Sequence, residues 1–359
     1  MTHMQGPFQK RNNFRTGLSL ITMMTGLLLF QTLFMAGIAE GKNLDTLSLY
    51  LENDYFAGDD SNYTNGLKLT YSSAIQENYP DVWPHRWFYP LIKKLPFEKS
   101  PDKRRNITIS LGQNIYTPVD IEEEELIEDD RPYAGITYVS FGVHSSLKRD
   151  MDTLELHLGI VGPDSYAEQC QKAIHKIFDD IEPQGWDNQL NNEPILGIVY
   201  EHKKKITQSR SALGLGHDLI INTGGGLGND MTYYNLGLNL RLGYNIPDDF
   251  GNYPIHPASA INGSFDTSDP RYSGQSNFGI FVFGASEGRA VLRNIFLDGN
   301  TFSDSHSVDS KPVVADCLTG VGIIAGPALI SMAYVYRTKE FETQKEAQKF
   351  GSINVSVSF

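Results

Sequence analysis

A glutamine and a histidine four residues apart form the pair of side chains in this sequence that is best suited to acid–base chemistry. Gln171 and His175 lie in the segment from Pro163 to Phe178, where apolar residues recur at helical spacing. Residues at i and i+4 share one face of a helix, so an imidazole that moves a proton would have an amide beside it. A single histidine on a helix is more commonly a packed or surface residue, and the spacing alone leaves both interpretations open.

Oxygen ligands for a hard cation occur where the first predicted strand ends, at Asn53 and Asp54. Carboxylate and amide oxygens suit Ca²⁺. The polar stretch that follows, from Gly58 to Gly66, lacks the full EF-hand pattern and ends in Asn65-Gly66, a typical turn signal. The alternatives are a calcium site, or a strand end followed by a hairpin turn.

An acidic run lies between Pro118 and Pro132, and it indicates either a solvated loop or a second place for divalent cations. Arg131 closes this run, where it could pair with the neighbouring carboxylates or contact an anionic head group. The sequence has no HExxH motif and no phosphate-binding loop, and its one GxSxG pattern, Gly284-Ala285-Ser286-Glu287-Gly288, lies inside the strand predicted to start near Phe278 and not at a strand-to-helix turn. Zinc hydrolases and serine hydrolases of the elbow type are therefore unsupported.

The candidate site residues lie between segments in which apolar and polar residues alternate, and these segments must position them. Clear examples are Thr153–Ile160, Asn235–Gly243 and the chain end, Ile353–Phe359. Alternation over about ten residues, with charged residues on the second face, is typical of transmembrane strands. The sequence predicts an all-β fold: a transmembrane antiparallel β-barrel of about 12 strands, with a short helix at the rim. A lumen of this size would be largely filled by side chains.

The first 39 residues are predicted to be a signal peptide. Lys10, Arg11 and Arg15 precede an apolar stretch, and small residues end at Ala39. A retained membrane helix is the alternative for this segment. Residues 40–359 are predicted to form one barrel domain, with an exposed loop from Asp248 to Gln275.

The charge balance limits the possible partners. Without the first 39 residues the chain has 27 basic and 43 acidic residues, which excludes a nucleic-acid partner. An anionic substrate would need local arginine or lysine, or a divalent cation, to offset repulsion. Cys170 and Cys317 are the two cysteines, and the sequence leaves open whether they pair.

An ordered set of motifs along the chain resembles the outer-membrane lipid A 3'-O-deacylase family. The motifs are Leu51-Glu52-Asn53-Asp54, Asn62-Tyr63-Thr64-Asn65-Gly66, Asp130-Arg131-Pro132-Tyr133-Ala134-Gly135, Gly162-Pro163 through Gln171 and His175 to Gln184-Gly185-Trp186, Leu297-Asp298-Gly299-Asn300-Thr301-Phe302, and the terminal Phe strand. Each motif is weak by itself, and the ordered set is more specific.

The resemblance implies a bacterial outer-membrane barrel that hydrolyses the ester of the 3'-linked acyloxyacyl group of lipid A and depends on Ca²⁺. It implies that His175 is catalytic, with Gln171 one turn before it. It also implies that Asn53 and Asp54 lie near the metal and the active site and that Thr64 is the threonine of the family's Tyr-Thr-x-Gly motif. Our hypothesis is that Thr64 lines the oxyanion site. The lipopolysaccharide of the outer membrane would then be the substrate and partner.

One departure from the family pattern concerns the segment after Tyr116-Thr117-Pro118. Some members have a lysine there, whereas this chain continues with Val119, Asp120, Ile121 and four glutamates. Arg131 is the candidate replacement for a contact with the anionic substrate. The alternatives to a lipid A deacylase are a phospholipase-type barrel, a small porin or structural barrel, and a soluble β-sandwich.

Overall fold

The computed structural model describes residues 45–54, 62–79, 89–100, 102–178, 181–251, 253–255, 269, 271 and 278–359, without the side chains of 62–64 and 177–178. The predicted signal peptide, residues 1–39, lies outside this range. No helix among the described residues is long and apolar enough to cross a membrane.

The described residues form 12 antiparallel strands in a closed barrel, as the sequence predicted. Strand β1 pairs with both β2 and β12, so the alternating C-terminal strand closes the barrel. The strands are β1 (Thr46–Asn53), β2 (Asn62–Ser72), β3 (Arg104–Thr117), β4 (Ala134–Leu147), β5 (Asp150–Val161), β6 (Glu193–Arg210), β7 (Leu215–Gly228), β8 (Met231–Tyr244), β9 (Phe278–Asn294), β10 (Val313–Ala325), β11 (Ala328–Arg337) and β12 (Gln348–Ser358).

Three α-helices and three 3₁₀ turns lie in the described connections. The α-helices are α1 (Tyr89–Ile92), α2 (Ala167–Phe178) and α3 (Ile295–Asp298), and the 3₁₀ turns are Pro96–Glu98, Pro163–Ser165 and Gly185–Asn188. Helix α2 follows β5 and is the helix that the sequence predicted at the rim.

Side chains alternate between lipid and lumen along each strand, with the polarity of a membrane barrel. In β8, Leu236 and Leu238 point outward and are 56% and 47% exposed, whereas Asn239 and Arg241 point into the lumen and are 0% exposed. The exposed apolar face therefore contacts the membrane. A barrel that is surrounded by water would instead have polar side chains on its outer face. The described strands form a transmembrane β-barrel.

The start of β2 differs from the prediction. Asn65 and Gly66 pair with Asn53 and Glu52 of β1, so they belong to a strand and not to a hairpin turn. Pairing with two neighbouring strands outweighs the local turn preference of Asn-Gly.

The prediction of an exposed loop from Asp248 to Gln275, after β8, was also wrong for the described residues. This part of the chain enters the lumen. Asp249 and Phe250 are 0% and 1% exposed. Asp249 forms an ion pair with Arg241 of β8, and the Phe250 ring lies 4.8 Å from Lys205 Nζ. Further along, the backbone N–H of Ile255 donates to Glu52 Oε1 at 2.7 Å. We call residues 248–255 the plug segment, because its described residues lie in the lumen, from Arg241 near the end of β8 to Glu52 near the end of β1.

The two ends of the barrel differ in what they carry. Thr46 and Ser358 pair at the end where β1 starts and β12 finishes, which we call the terminal rim. Asn53, Thr117, Ala134 and Val161 lie at the opposite end, which we call the loop rim. Helix α2 follows Val161 and therefore belongs to the loop rim.

Candidate active site at the loop rim

Helix α2 packs against the outward face of the barrel wall, on the side that faces lipid. Ala167 clusters with Ile115 of β3, and strand alternation points the Ile115 side chain away from the lumen. Gly135 of β4 makes this contact possible, since a Cβ there would lie 2.0 Å from Ala167 Cβ. The predicted rim helix is thus placed where membrane lipid would otherwise contact the wall.

Polar side chains of the wall hold the turn before α2. Gln113 Nε2 donates to the carbonyl oxygen of Ser165 at 2.9 Å, and Thr137 Oγ1 donates to the same oxygen at 2.7 Å. The Oγ of Ser165 accepts a 3.4 Å hydrogen bond from the N–H of Ala167, the first residue of the helix. Ser165 therefore supports the start of α2 through a short turn.

The predicted pair Gln171 and His175 lies on the buried face of α2. The two residues are 2% and 7% exposed. Trp186 Nε1 donates to Gln171 Oε1 at 2.8 Å, which fixes the orientation of the amide because the indole can only donate. The Nε2 group of Gln171 is buried and has no hydrogen-bond partner among the described residues. Such a group costs about 1–3 kcal/mol unless a ligand or water satisfies it.

The imidazole of His175 is oriented by the backbone that follows α2. Its Nδ1 lies 2.5 Å from the carbonyl oxygen of Ile181. A carbonyl can only accept, so Nδ1 carries a proton and donates. In the neutral imidazole, Nε2 is then the nitrogen that can accept a proton.

Aromatic packing holds Trp186 in place. The Trp186 and Tyr133 rings are tilted, with centroids 5.0 Å apart, and Trp186 is 1% exposed. Burial raises the pKa of Tyr133 to about 12, so its hydroxyl is protonated at neutral pH and donates to the carbonyl oxygen of Ile121 at 3.3 Å. The segment after α2 is therefore packed against the start of β4.

The proposed metal ligands lie at the same rim. Asn53 is half-buried and points outward at the end of β1, and Asp54 follows it with 1% exposure. Strand β2 separates β1 from β3, against which α2 packs. Among the described residues no three His, Cys, Asp or Glu side chains converge as a metal cluster. The side chain of Thr64 lies outside the described part, and its backbone lies at a register shift between β2 and β3.

Arg131 is buried instead of standing at the surface. It is 1% exposed, its NH1 lies 3.4 Å from Glu340 Oε2, and its guanidinium lies 5.0 Å from the centre of the Tyr116 ring. This burial favours a structural role, and a contact between Arg131 and a substrate stays a prediction.

Three half-buried polar residues at outward positions of the wall had no catalytic or binding role predicted from the sequence. Asn65, Gln113 and Thr137 occupy outward positions on β2, β3 and β4. The sequence contained one indication of them, because each polar residue stands at a strand position where the two-residue alternation predicts an apolar, lipid-facing side chain. Together with Asn53 they form a polar patch across four adjacent strands next to α2.

A separate cavity of about 100 Å³ lies inside the lumen. Its lining includes Tyr116, Tyr138, Glu287 and the pair His157–Asp230, whose Nε2 and Oδ2 are 2.8 Å apart. The barrel wall lies between this cavity and α2, so the cavity is not part of the site at the helix. Cys170 and Cys317 are both free thiols.

Comparisons with known proteins identify one family. A family model described as "Outer membrane protein LpxR" matches residues 23–359. The structure of LpxR from Salmonella typhimurium has a TM-score of 0.70 at 18% identity, covering 88% of this chain and 100% of that chain. The β domain of the Bordetella autotransporter Brka has a TM-score of 0.43 at 9% identity, covering 89% and 100%. No curated protein matches the sequence significantly.

Proposed function

The chain belongs to the LpxR family of outer-membrane proteins, and from this premise we propose that it is a calcium-dependent carboxylic ester hydrolase that removes the 3'-linked acyloxyacyl group of lipid A. The observation that carries the proposal is the position of α2. Its buried Gln171 and His175 lie on the lipid-facing side of the wall, at the loop rim.

This position suits a substrate that stays in the membrane. Lipid lies alongside the outward face of a barrel, so an ester near the head group could reach α2 without leaving the leaflet. Asn53 and Asn65 of the polar patch would contact the polar part of such a lipid, beside the turn that Gln113 and Thr137 hold. A soluble substrate would have no reason to be bound at this face.

His175 is the general base in the proposed reaction. Its Nε2 takes a proton from water while the water oxygen attacks the ester carbonyl. The tetrahedral intermediate then collapses, the bond to the sugar oxygen breaks, and the imidazolium returns the proton to that oxygen. The hydrogen bond from Nδ1 to the carbonyl oxygen of Ile181 holds the ring in the required tautomer.

Gln171 acts beside the histidine. Because Trp186 holds its Oε1, the Nε2 group remains able to donate to an oxygen of the substrate or of the attacking water. Thr64 is proposed to line the oxyanion site, where donors stabilise the charge that develops on the carbonyl oxygen.

Asn53 and Asp54 are proposed to hold Ca²⁺. The fit rests on their donor atoms, which are hard oxygens on adjacent residues at the end of β1. Bound calcium would supply positive charge near the ester carbonyl. The acidic loop between β3 and β4, whose exposed residues include Glu122–Glu125, makes such compensation necessary for an anionic lipid.

The proposal is tested by incubating the folded barrel with purified lipid A, with calcium and with chelator, and measuring products by mass spectrometry. We expect calcium-dependent loss of the 3' acyloxyacyl mass. His175→Ala is expected to lower the rate by about 10³-fold, within the range of general-base catalysis, and to leave the barrel folded.

Two results would reject the assignment. Intact lipid A in every sample, with phospholipid cleaved instead, would identify a phospholipase-type barrel. Full deacylase activity of the His175→Ala protein would remove the histidine from the mechanism.

A further inference from the structure

The connection between β2 and β3 covers part of the outer wall near the terminal rim. Ile107 of β3 and Val143 of β4 point outward by alternation, yet they are 0% and 5% exposed. They form a cluster with Tyr79 and Ile92 of the connection. Folded protein therefore replaces lipid over this part of the wall.

Buried polar contacts fix this connection to the wall. Arg105 Nε donates to Glu98 Oε2 at 2.8 Å, and the Tyr79 hydroxyl donates to Glu98 Oε1 at the same distance. Lys103 Nζ lies 2.8 Å from Asp152 Oδ2 on β5. The 89–100 segment is thus held in one position on the barrel, and we call it the foot.

The foot lies at the edge of the apolar band. Its Phe97 ring stacks on Tyr200 of β6 at 5.8 Å between centroids. On one side of Tyr200 the outward residues are apolar, with Ile198 43% exposed. On the other side the next outward residues are His202 and Lys204, which approach Asp150 within 4 Å. A change from leucine and isoleucine through tyrosine to charge marks the membrane–water boundary.

The exposed surface of the foot is basic and carries one large apolar side chain. Lys93, Lys94 and Lys99 are exposed, and Leu91 is 65% exposed. The other charged residues near the foot at the terminal rim include the exposed basic residues Arg104, Lys148, Arg149 and Lys204 and fewer acidic residues, Glu77, Asp102 and Asp150, so basic residues are in excess. The whole chain has a net charge of −13, and the acidic loop lies at the other rim, so this basic surface is a local reversal of charge.

We propose that the foot is a binding site for anionic phospholipid head groups in the leaflet at the terminal rim. Lysines beside an apolar side chain at this level suit negative phosphates and the upper part of the acyl chains. Lys93 and Lys94 contact the phosphates, and Leu91 enters the boundary between head groups and acyl chains. The site does not depend on the proposed hydrolase activity, because it lies on the opposite rim from α2.

The depth of Leu91 is the first test. The Leu91→Cys barrel, with Cys170→Ser and Cys317→Ser, is labelled with a nitroxide in vesicles of phosphatidylcholine and phosphatidylglycerol. Collisions with oxygen and with an aqueous nickel chelate then report its depth. We expect the label at the head-group boundary, and a label at Leu126→Cys in the acidic loop to be fully aqueous. Equal nickel accessibility at both positions would overturn the proposal in favour of a solvated surface or a soluble protein partner.

Lipid preference is the second test. Spin-labelled phosphatidylglycerol and phosphatidylcholine are compared for association with wild type, with Lys93→Gln/Lys94→Gln, and with the control Lys339→Gln/Lys345→Gln at the loop rim. The foot variant is expected to lose roughly fivefold or more of the preference for phosphatidylglycerol, the factor for one basic residue near an anionic surface. The control should keep it. An unchanged foot variant, or an equal loss in the control, would overturn the proposal.

Discussion

The hydrogen bond between Trp186 and Gln171 decides which end of the glutamine amide faces the site. Trp186→Phe keeps a ring in the same pocket but removes the donor, so the amide could rotate. We expect kcat on lipid A to fall about tenfold, the equivalent of about 1.4 kcal/mol, with little change in KM. Steady-state kinetics of the folded variant measure both constants.

Tyr133→Phe is the matched control for that substitution. The Tyr133 ring packs on Trp186, and its hydroxyl donates a hydrogen bond to the carbonyl oxygen of Ile121 and not to Gln171. Removing the hydroxyl should therefore lower stability slightly and leave kcat nearly unchanged. If both variants lose kcat equally, packing and not amide orientation explains the effect of Trp186.

At the scale of the element, the contact between α2 and β4 depends on the absence of one carbon atom. A Cβ at Gly135 would lie 2.0 Å from Ala167 Cβ and 2.6 Å from Ser165 Oγ, so Gly135→Ala must push the helix away from the wall. The strand itself can remain paired, since the side chain points outward. A displacement of about 1 Å at catalytic groups costs on the order of 10²-fold in rate. We expect a folded barrel with about that loss of deacylase activity.

Two further variants separate helix displacement from a general effect of adding a methyl group. Gly288→Ala in β9 adds a Cβ that meets nothing within 4 Å, and its activity should match wild type. Gly135→Ala combined with Ala167→Gly removes the closest clash and should recover part of the activity. Failure of Gly135→Ala to reduce activity would show that α2 tolerates a shifted position.

The elements themselves followed from local sequence patterns, and their placement did not. Alternation predicted the strands, and helical spacing predicted α2 with Gln171 and His175 on one face. Asn65-Gly66 was misassigned because its strand pairing depends on residues far along the chain. The outward side of the wall on which α2 packs depends on Gly135 and Ala167 meeting, which no local periodicity encodes.

At the scale of the whole molecule, a buried ion-pair network connects the barrel wall to the plug segment. Arg241 of β8 is 0% exposed and bonds Asp218 of β7 at 2.6 Å and Asp249 of the plug segment. The plug segment was predicted as an exposed loop because it is polar and rich in turn residues. Its aspartates and aromatic rings instead meet lumen cations such as Lys203, whose Nζ lies 4.2 Å from the centre of the Tyr253 ring. The composition of the loop could not reveal those partners on other strands.

Arg241→Ala should release the plug segment. The change removes the cation shared by Asp218 and Asp249 and leaves Asp249 with Arg271 at 3.6 Å, and breaking a buried pair in this way costs about 3–5 kcal/mol. We expect a lower free energy of unfolding in urea and new conductance in planar bilayers, where wild type stays closed. Arg149→Ala, at an exposed position on the terminal rim, removes the same charge and should change neither quantity. A destabilised Arg241→Ala barrel that shows no conductance would mean that the remaining contacts hold the plug segment in the lumen without the arginine. One such contact is the hydrogen bond from Ile255 to Glu52.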